Sequence, residues 1–398
     1  YTLSVSDTTS SNASLTTVVA AGTITVNTVV DDSSETNANI YFENGTCKCP
    51  NASVGDTAVI NGTTYTVVNN STINSEVVSK GNINLCTTLI TDLSDNLSRL
   101  GSDWNENIGF WDTSNVTNMK ELFKECLLFN QDISDWDVSN VTNMSGMFHN
   151  ASSFNQDLGD WDVSNATDMS YMFNGDSFNI DIGDWDVSNV TDMERMFYGA
   201  NDFNQDIGDW DVSKVTNMSG MFHNASSFNQ DIGSWNVSNV ASNGMVKMFR
   251  TASAFNQDLS NWCVENITTE PDKFSSQCPL SNSNKPFWGK CPALFSINVT
   301  ASSSSDYTLS GSDRNGNVSG SDPDLTFEVG DTINFAVNAS GHPFYLKTSA
   351  GTGTGNQISG VSNNGTTDQT ISWRPTSAGT YYYQCSLHGG MVGTITIQ

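Results

Sequence analysis

Seven tryptophans, at Trp111, Trp136, Trp161, Trp185, Trp210, Trp235 and Trp262, are spaced by 25, 25, 24, 25, 25 and 27 residues. The text between them recurs as well: residues 129–148 read FNQDISDWDVSNVTNMSGMF and residues 154–173 read FNQDLGDWDVSNATDMSYMF. A period of this size confines the chain to a stack of small units. Each unit is too short to bury its own apolar face and must use its neighbours.

Within one unit, Trp136 and Val138 alternate with Asp135 and Asp137, the pattern of a short strand with its acids outward. Met144, Met147 and Phe148 follow at i, i+3, i+4, which predicts one or two helical turns. The expected unit therefore holds one short parallel strand and one short helix, with copies about 4.8 Å apart. The Phe and Met columns, such as Phe123, Phe148, Phe173 and Met144, Met169, Met193, are expected to be core. The apolar run at Ile133, Trp136, Val138 and Val141 is close to the L-x-x-L-x-L of a leucine-rich repeat. The whole motif resembles the BspA-type leucine-rich-repeat surface proteins over roughly residues 47–292. That resemblance implies a surface or adhesion protein without catalysis.

The net charge of -28 argues against nucleic-acid binding, which needs a basic surface, and against docking on an anionic membrane. No apolar run is long enough to span a bilayer. Eight cysteines and abundant Ser, Thr and Asn suggest export, with Tyr1 as a mature N-terminus left by a cleaved signal peptide. Sequons outside the repeats, such as those at Asn51, Asn70, Asn266 and Asn338, make glycosylation plausible.

The organisation read from the chain is a β-strand arm at 1–40, an N-terminal cap at 41–103, the repeat array at 104–262, a C-terminal cap at 263–292 and a β domain at 293–398. In the first cap, strand-like runs flank Asn61-Gly62, a hairpin signal. The arm's Tyr1–Asp7, YTLSVSD, matches YTLSGSD at Tyr307–Asp313 in six of seven positions, so the arm is expected either to donate a strand to another copy or to add an edge strand to its own chain.

Two aspartate columns run through the repeats, one from Asp112 through Asp137, Asp162, Asp186 and Asp211, the other from Asp132 through Asp157, Asp181, Asp206 and Asp231 to Asp258. Stacked like charges repel, and calcium between units would relieve this. The other reading is a solvated face, or aspartates bonded to turn amides. The asparagine column from Asn130 to Asn256 is read as structural, its stacked amides satisfying turn backbone.

After residue 292 the repeat stops and short strand-like runs with polar turns predict a β-sandwich. Within it stand His342 and the segment Cys385-Ser-Leu-His388-Gly-Gly-Met391. Two imidazoles, a thiolate and a thioether are the ligands of a trigonal blue-copper site with a weak axial Met. This region resembles the cupredoxins of the plastocyanin and amicyanin family. The resemblance implies His342, Cys385 and His388 as strong copper ligands and Met391 as the axial one. Gly389 departs from the Pro that many members carry there.

The resemblances also bear on the other cysteines. With Cys385 a ligand and Cys126 a core residue, six remain. The repeat family implies Cys49–Cys86 and Cys263–Cys291 disulfides in the two caps. Cys47 and Cys278 are then left at opposite ends, roughly 30 Å apart, beyond the ~7 Å a disulfide tolerates, and other pairings within each three-cysteine cap leave one odd thiol per end all the same. Either both are free, or Cys47 of one subunit bonds Cys278 of the next and a filament results.

The fold class expected is therefore multidomain, a leucine-rich-repeat-like solenoid followed by an antiparallel, cupredoxin-like β-sandwich. The leading functional expectation is an extracellular structural or adhesive protein that polymerises with itself and meets surface glycans or proteins. The alternative is a secreted blue-copper electron carrier tethered by its repeats. With four histidines the chain is far short of a multicopper oxidase, and it carries neither a Ser-His-Asp elbow nor a P-loop, so no enzymatic activity is expected.

Overall fold

The structure is a computed structural model that describes residues 37–398 except 96 and 176, together with two dipeptide strands, β1 (Val19–Ala20) and β2 (Thr23–Ile24). The strand-donating segment Tyr1–Asp7 lies outside the described residues.

The N-terminal cap begins with an antiparallel pair, β3 (Tyr41–Glu43) and β4 (Thr46–Lys48). Strands β5 (Thr57–Ile60) and β6 (Thr63–Asn69) then form the hairpin read from Asn61-Gly62. Both turn residues have positive φ, 53° and 79°, as a right-twisting two-residue turn requires. Strand β7 (Leu85–Leu89) joins β6 in parallel and brings Cys86 into the cap.

The repeats that follow carry neither the strand nor the helix expected of them. From residue 101 to 281 the described backbone is turns and single-residue bridges, running in parallel from Asp92 through Asn118, Asn143, Asp168 and Asp192 to Asn217. The reason lies in two columns of left-handed residues. Glu121, Gly146, Tyr171, Arg195, Gly220, Lys247 and Lys273 all have φ between 51° and 64°. Four positions later Glu125, Asn150, Gly175, Gly199, Asn224, Thr251 and Gln277 do so again. A right-handed helix cannot pass through such residues.

The hydrogen bonding follows from that alternation. The N–H groups of Met144, Gly146, Phe148 and Asn150 donate to Asp168, Ser170, Met172 and Asn174 of the next repeat at 2.7–3.0 Å. The N–H groups between them turn inward, as from Met147 to Met144 and from His149 to Gly146. An α-helix would satisfy all of these within one repeat. Here half of them tie each repeat to the next.

Side chains repeat the pattern. Each indole N–H donates to a carbonyl of the preceding repeat, as from Trp136 to Ile108, Trp161 to Ile133 and Trp210 to Ile182, at 3.1–3.3 Å. The asparagine column satisfies backbone amides: Asn130 Oδ1 accepts from the Asn155 N–H, Asn179 from Asn204 and Asn204 from Asn229, at 2.9–3.0 Å. Inside, Phe148, Phe173, Phe197, Phe222 and Phe249 stack face to face between repeats, with centroids 5.6–5.9 Å apart. These Phe and Met columns are wholly buried, as the period implied.

The C-terminal part corrects the expected antiparallel sandwich. A five-stranded sheet has the order β10 (Gly316–Ser321), β9 (Thr308–Asp313), β8 (Leu294–Thr300), β12 (Thr332–Asn338), β14 (Thr370–Trp373). A four-stranded sheet has the order β11 (Leu325–Phe327), β16 (Val392–Ile397), β15 (Gly379–Cys385), β13 (Phe344–Lys347). Both are mixed, because β8 pairs with β12 and β11 with β16 in parallel. Residues of the two sheets share one core that includes Ile297, Phe335, Phe344, Leu346, Tyr383 and Ile395. With five separate sheets, three short helical turns among the described residues and repeats built of turns, the chain is not a leucine-rich-repeat solenoid joined to one antiparallel sandwich.

Two arginines join the repeats to this β domain. The Arg374 guanidinium donates to the Ser260 hydroxyl and carbonyl and to Gly330 O, and lies over the Phe287 ring. Arg314 reaches the Cys291 carbonyl and the buried Asp331 carboxylate. The Cys263–Cys291 disulfide closes the same junction.

Two outcomes follow from this fold. Phe197→Ala, which removes a ring stacked on both sides, is expected to cost about 3–5 kcal/mol in urea unfolding, whereas a substitution at the exposed Asp211 should move stability far less. Hydrogen bonds from Ser134, Ser188 and Ser213 hold the carboxyls of Asp132, Asp186 and Asp211 below the usual range. Their folded pKa is below the unfolded one, so their stabilising contribution is complete above about pH 5 and is lost as pH falls through the lowered values. Thermal unfolding followed over acid pH should show this decline, and replacing the three serines by alanine should flatten it.

Candidate metal centre

The site is assembled at one end of the four-stranded sheet. Cys385 is the last residue of β15, His342 stands just before β13, and His388 and Met391 lie in the loop between β15 and β16. The pairing of Phe344 with Cys385 across β13 and β15 sets His342 beside the loop.

The ligand atoms converge. His342 Nδ1 is 3.2 Å from His388 Nδ1, and Cys385 Sγ is 3.4 Å from His388 Nδ1. The donor atoms of the three residues all lie within 4.8 Å of one another. Cys385 and Met391 are fully buried, while both imidazoles are half-buried. No other His/Cys/Asp/Glu group among the described residues is arranged to hold an ion. Two softer nitrogens and one sulfur, with a thioether on the same loop, form a donor set suited to a soft or borderline transition metal.

Three residues not singled out in the sequence fix this geometry. The wholly buried Tyr307 donates to the carbonyls of His342 and Pro343, both at 3.0 Å. Burial, with Cys385 close by, pushes its phenol far up, so it stays a donor. Gln384 is buried and its amide donates to the carbonyls of His388 and Met391, both at 3.0 Å, which pins the loop from below. The Lys347 ammonium is buried beside the loop, donates to the carbonyls of Gly351 and Gly353, and is lowered by its burial. The Gly353 N–H in turn holds Ser386 O at 2.7 Å. Tyr307 belongs to the YTLSGSD segment and Gln384 directly precedes Cys385, but only the pairing of strands distant in sequence shows what they touch.

The aspartate columns offer calcium no support, and follow the other reading, aspartates bonded to turn amides. Asp137, Asp162, Asp186 and Asp211 each accept the N–H two residues on, at 3.0–3.1 Å. Asp157, Asp181, Asp206 and Asp231 do the same for Gly159, Gly183, Gly208 and Gly233. Each carboxylate caps its own turn, and the charges face water instead of converging.

The cysteines also differ from expectation. Cys263 and Cys291 are joined, but Cys49 and Cys86 are free thiols. Cys86 contacts both Cys49 and Cys47, and that contact together with burial pushes the Cys49 thiol far up. Cys47 is wholly buried, and Cys278 is half-buried with its thiol donating to Phe255 O at 3.2 Å. A link from Cys47 to another subunit's Cys278 would require the cap to open.

Fold and site together define a stacked-repeat protein that carries a His-Cys-His cluster able to hold a metal. Residues 91–185 and 174–287 match a family model described as a Mycoplasma protein of unknown function, DUF285. This is a coarser relationship than the BspA type. No curated protein matches the chain. Among solved structures it is similar to rusticyanin, described as a copper protein, at 20% identity over 26% of this chain and 78% of that one, with a TM-score of 0.20. A structure of rusticyanin from Thiobacillus ferrooxidans is 19% identical over 26% of this chain and 76% of that one, with a TM-score of 0.19. At these scores the likeness carries no weight beside the donor geometry. No described helix is long and apolar enough to cross a membrane.

The thiol assignments have a direct check. Unreduced protein should run as a monomer on a denaturing gel, and native alkylation should spare Cys47, Cys49, Cys86 and Cys385 while labelling Cys278 first. A reductant-sensitive ladder of polymers would contradict the burial of Cys47.

Proposed function

We propose that the C-terminal domain binds one copper ion through His342, Cys385 and His388, with Met391 as a weak fourth donor, and serves as an electron-transfer module. The observation that carries this reading is the convergence of three donor atoms in a loop whose backbone is held independently of any ligand. Copper in such a site supplies one-electron chemistry. The chain's own residues do the rest. Tyr307 and Gln384 set the ligand positions in advance, which limits rearrangement between oxidation states, and the buried Cys385 is shielded from other thiols and oxidants. In the same reading the repeats are an extracellular carrier of BspA type, tied to the domain through Arg374 and Arg314.

The adhesive-filament reading has less support. Its expected Cys47–Cys278 link runs through a wholly buried thiol.

Adding Cu(II) to the purified chain should produce an intense visible thiolate-to-copper absorption at about one copper per chain. Cys385→Ser should abolish it. Gln384→Ala should keep the fold but weaken copper affinity by roughly 10- to 100-fold, as loss of a ligand-orienting partner does. No visible band in the native chain, or an unchanged band in Cys385→Ser, would refute the proposal.

A further inference from the structure

The repeat that ends the tryptophan series is longer than the rest, since Trp235 and Trp262 are 27 residues apart. The extra residues fall between Val240 and Met245, where Ala241-Ser242-Asn243-Gly244 stands in place of Thr216-Asn217 one repeat earlier. The parallel bridge ladder stops at Asn217 for this reason. A cleft of about 470 Å³ opens there, lined by Arg195, Asn217, Ser219, Gly220, His223 and Lys247 among others.

The charge in this cleft runs against the molecule. The chain holds 15 basic and 43 acidic residues, yet Lys247 on the cleft wall has no carboxylate within ion-pair distance among the described residues. Arg195, Gly220 and Lys247 occupy one column, so the two cations flank a residue with no side chain. Gly220 has φ 64°, and a Cβ added there would lie 3.1 Å from Arg195 Cγ, which crosses the gap. The guanidinium is held between two rings, 5.4 Å from the Tyr171 centroid and 5.7 Å from that of Tyr198. Burial and the nearby Arg250, Lys247 and Arg195 hold His223 down at about 4, so its ring is neutral and packs edge-on to Tyr198.

We infer that this cleft binds an acidic saccharide, a sugar ring bearing one carboxylate. The planar Arg195 fork matches a carboxylate in two-bond geometry, and Lys247 adds a point charge across the glycine gap. Glu194 on the cleft wall selects the rest of the ligand. Its carboxylate already accepts from the Tyr171 hydroxyl at 2.8 Å and from Asn217 Nδ2 at 3.3 Å, and lies 3.7 Å from Arg195 Nε. It has lone pairs left to accept sugar hydroxyls. The site is separate from the metal cluster and does not depend on it.

The test is calorimetric titration of the full chain at low salt with a short oligogalacturonate. The native chain should bind it with one site, and the fully methyl-esterified oligomer should give no binding. Lys247→Gln should weaken binding roughly 10- to 100-fold, the range for a lost hydrogen bond to a charged group. Lys120→Gln, a cation outside the cleft, should leave it unchanged. Lys247 makes no side-chain hydrogen bond among the described residues, so misfolding would not account for its loss. Arg195→Gln, which disturbs two rings, is read only alongside its melting curve and should show the same loss at unchanged stability. Equal binding of the ester, native affinity in Lys247→Gln, or displacement of the oligomer by inorganic sulfate at equal concentration would each overturn the proposal.

Discussion

The structure depends on backbone N–H groups that leave their own repeat. In each unit two left-handed residues, four positions apart, rotate alternate N–H groups outward, where the next repeat's carbonyls receive them. Left-handed backbone costs a non-glycine residue of order 1 kcal/mol or more. Glycine meets that cost at Gly146, Gly175, Gly199 and Gly220, and asparagine lowers it at Asn150 and Asn224. Elsewhere, as at Tyr171 and Lys247, the surrounding ladder must offset it. The cost is recovered only if a neighbour is present, so one repeat alone has little reason to adopt this shape. Trp indoles, asparagine amides and stacked phenylalanines all reinforce the same direction of bonding.

That dependence explains the two ends of the stack. At the first, the cap's β4 meets the array through backbone and charge: Cys47 N–H donates to Phe110 O, and Lys48 pairs with the buried Asp112 at 2.8 Å. At the last, ordinary repeat contacts give way to the Cys263–Cys291 crosslink and the two arginines of the junction. Near the end of the array, after Asn217, the single-residue bridges stop while the inter-repeat N–H bonds continue from Met218 to Gly244 and from Gly220 to Val246, and a cleft edged by Arg195 and Lys247 opens there.

The metal centre follows a different logic. Its candidate ligands sit on a loop and a strand edge, and besides the Cys385 N–H bond to Met391 O the positioning comes from residues outside the ligand set. Tyr307 from β9's approach, Gln384 from β15 and Lys347 from β13 each hold a carbonyl of the surrounding loops. Positioning of this kind, by groups outside the ligand set, is what second-sphere hydrogen bonds contribute to a metal site.

Much of this could be read from the chain. The 25-residue period required stacked units with buried Phe and Met columns, and the order His342, Cys385, His388 on strand-like flanks pointed to the three residues whose donor atoms converge. The Asn61-Gly62 hairpin and the structural asparagine column were legible for the same reason: local chemistry leaves few options at such positions. The handedness of the repeat turns was not legible. Met144, Met147 and Phe148 face inward whether the segment is a helix or a left-handed turn, so apolar spacing alone does not distinguish them. Nor could spacing show that Cys47, Cys49 and Cys86 would cluster as free thiols, or that strands β8 and β12 would pair in parallel. Those outcomes depend on which distant segments meet, and only the assembled stack and the two facing sheets decide that. The sequence by itself determined what had to be buried and which atoms could bind a metal; the tertiary structure decided where each N–H found its partner.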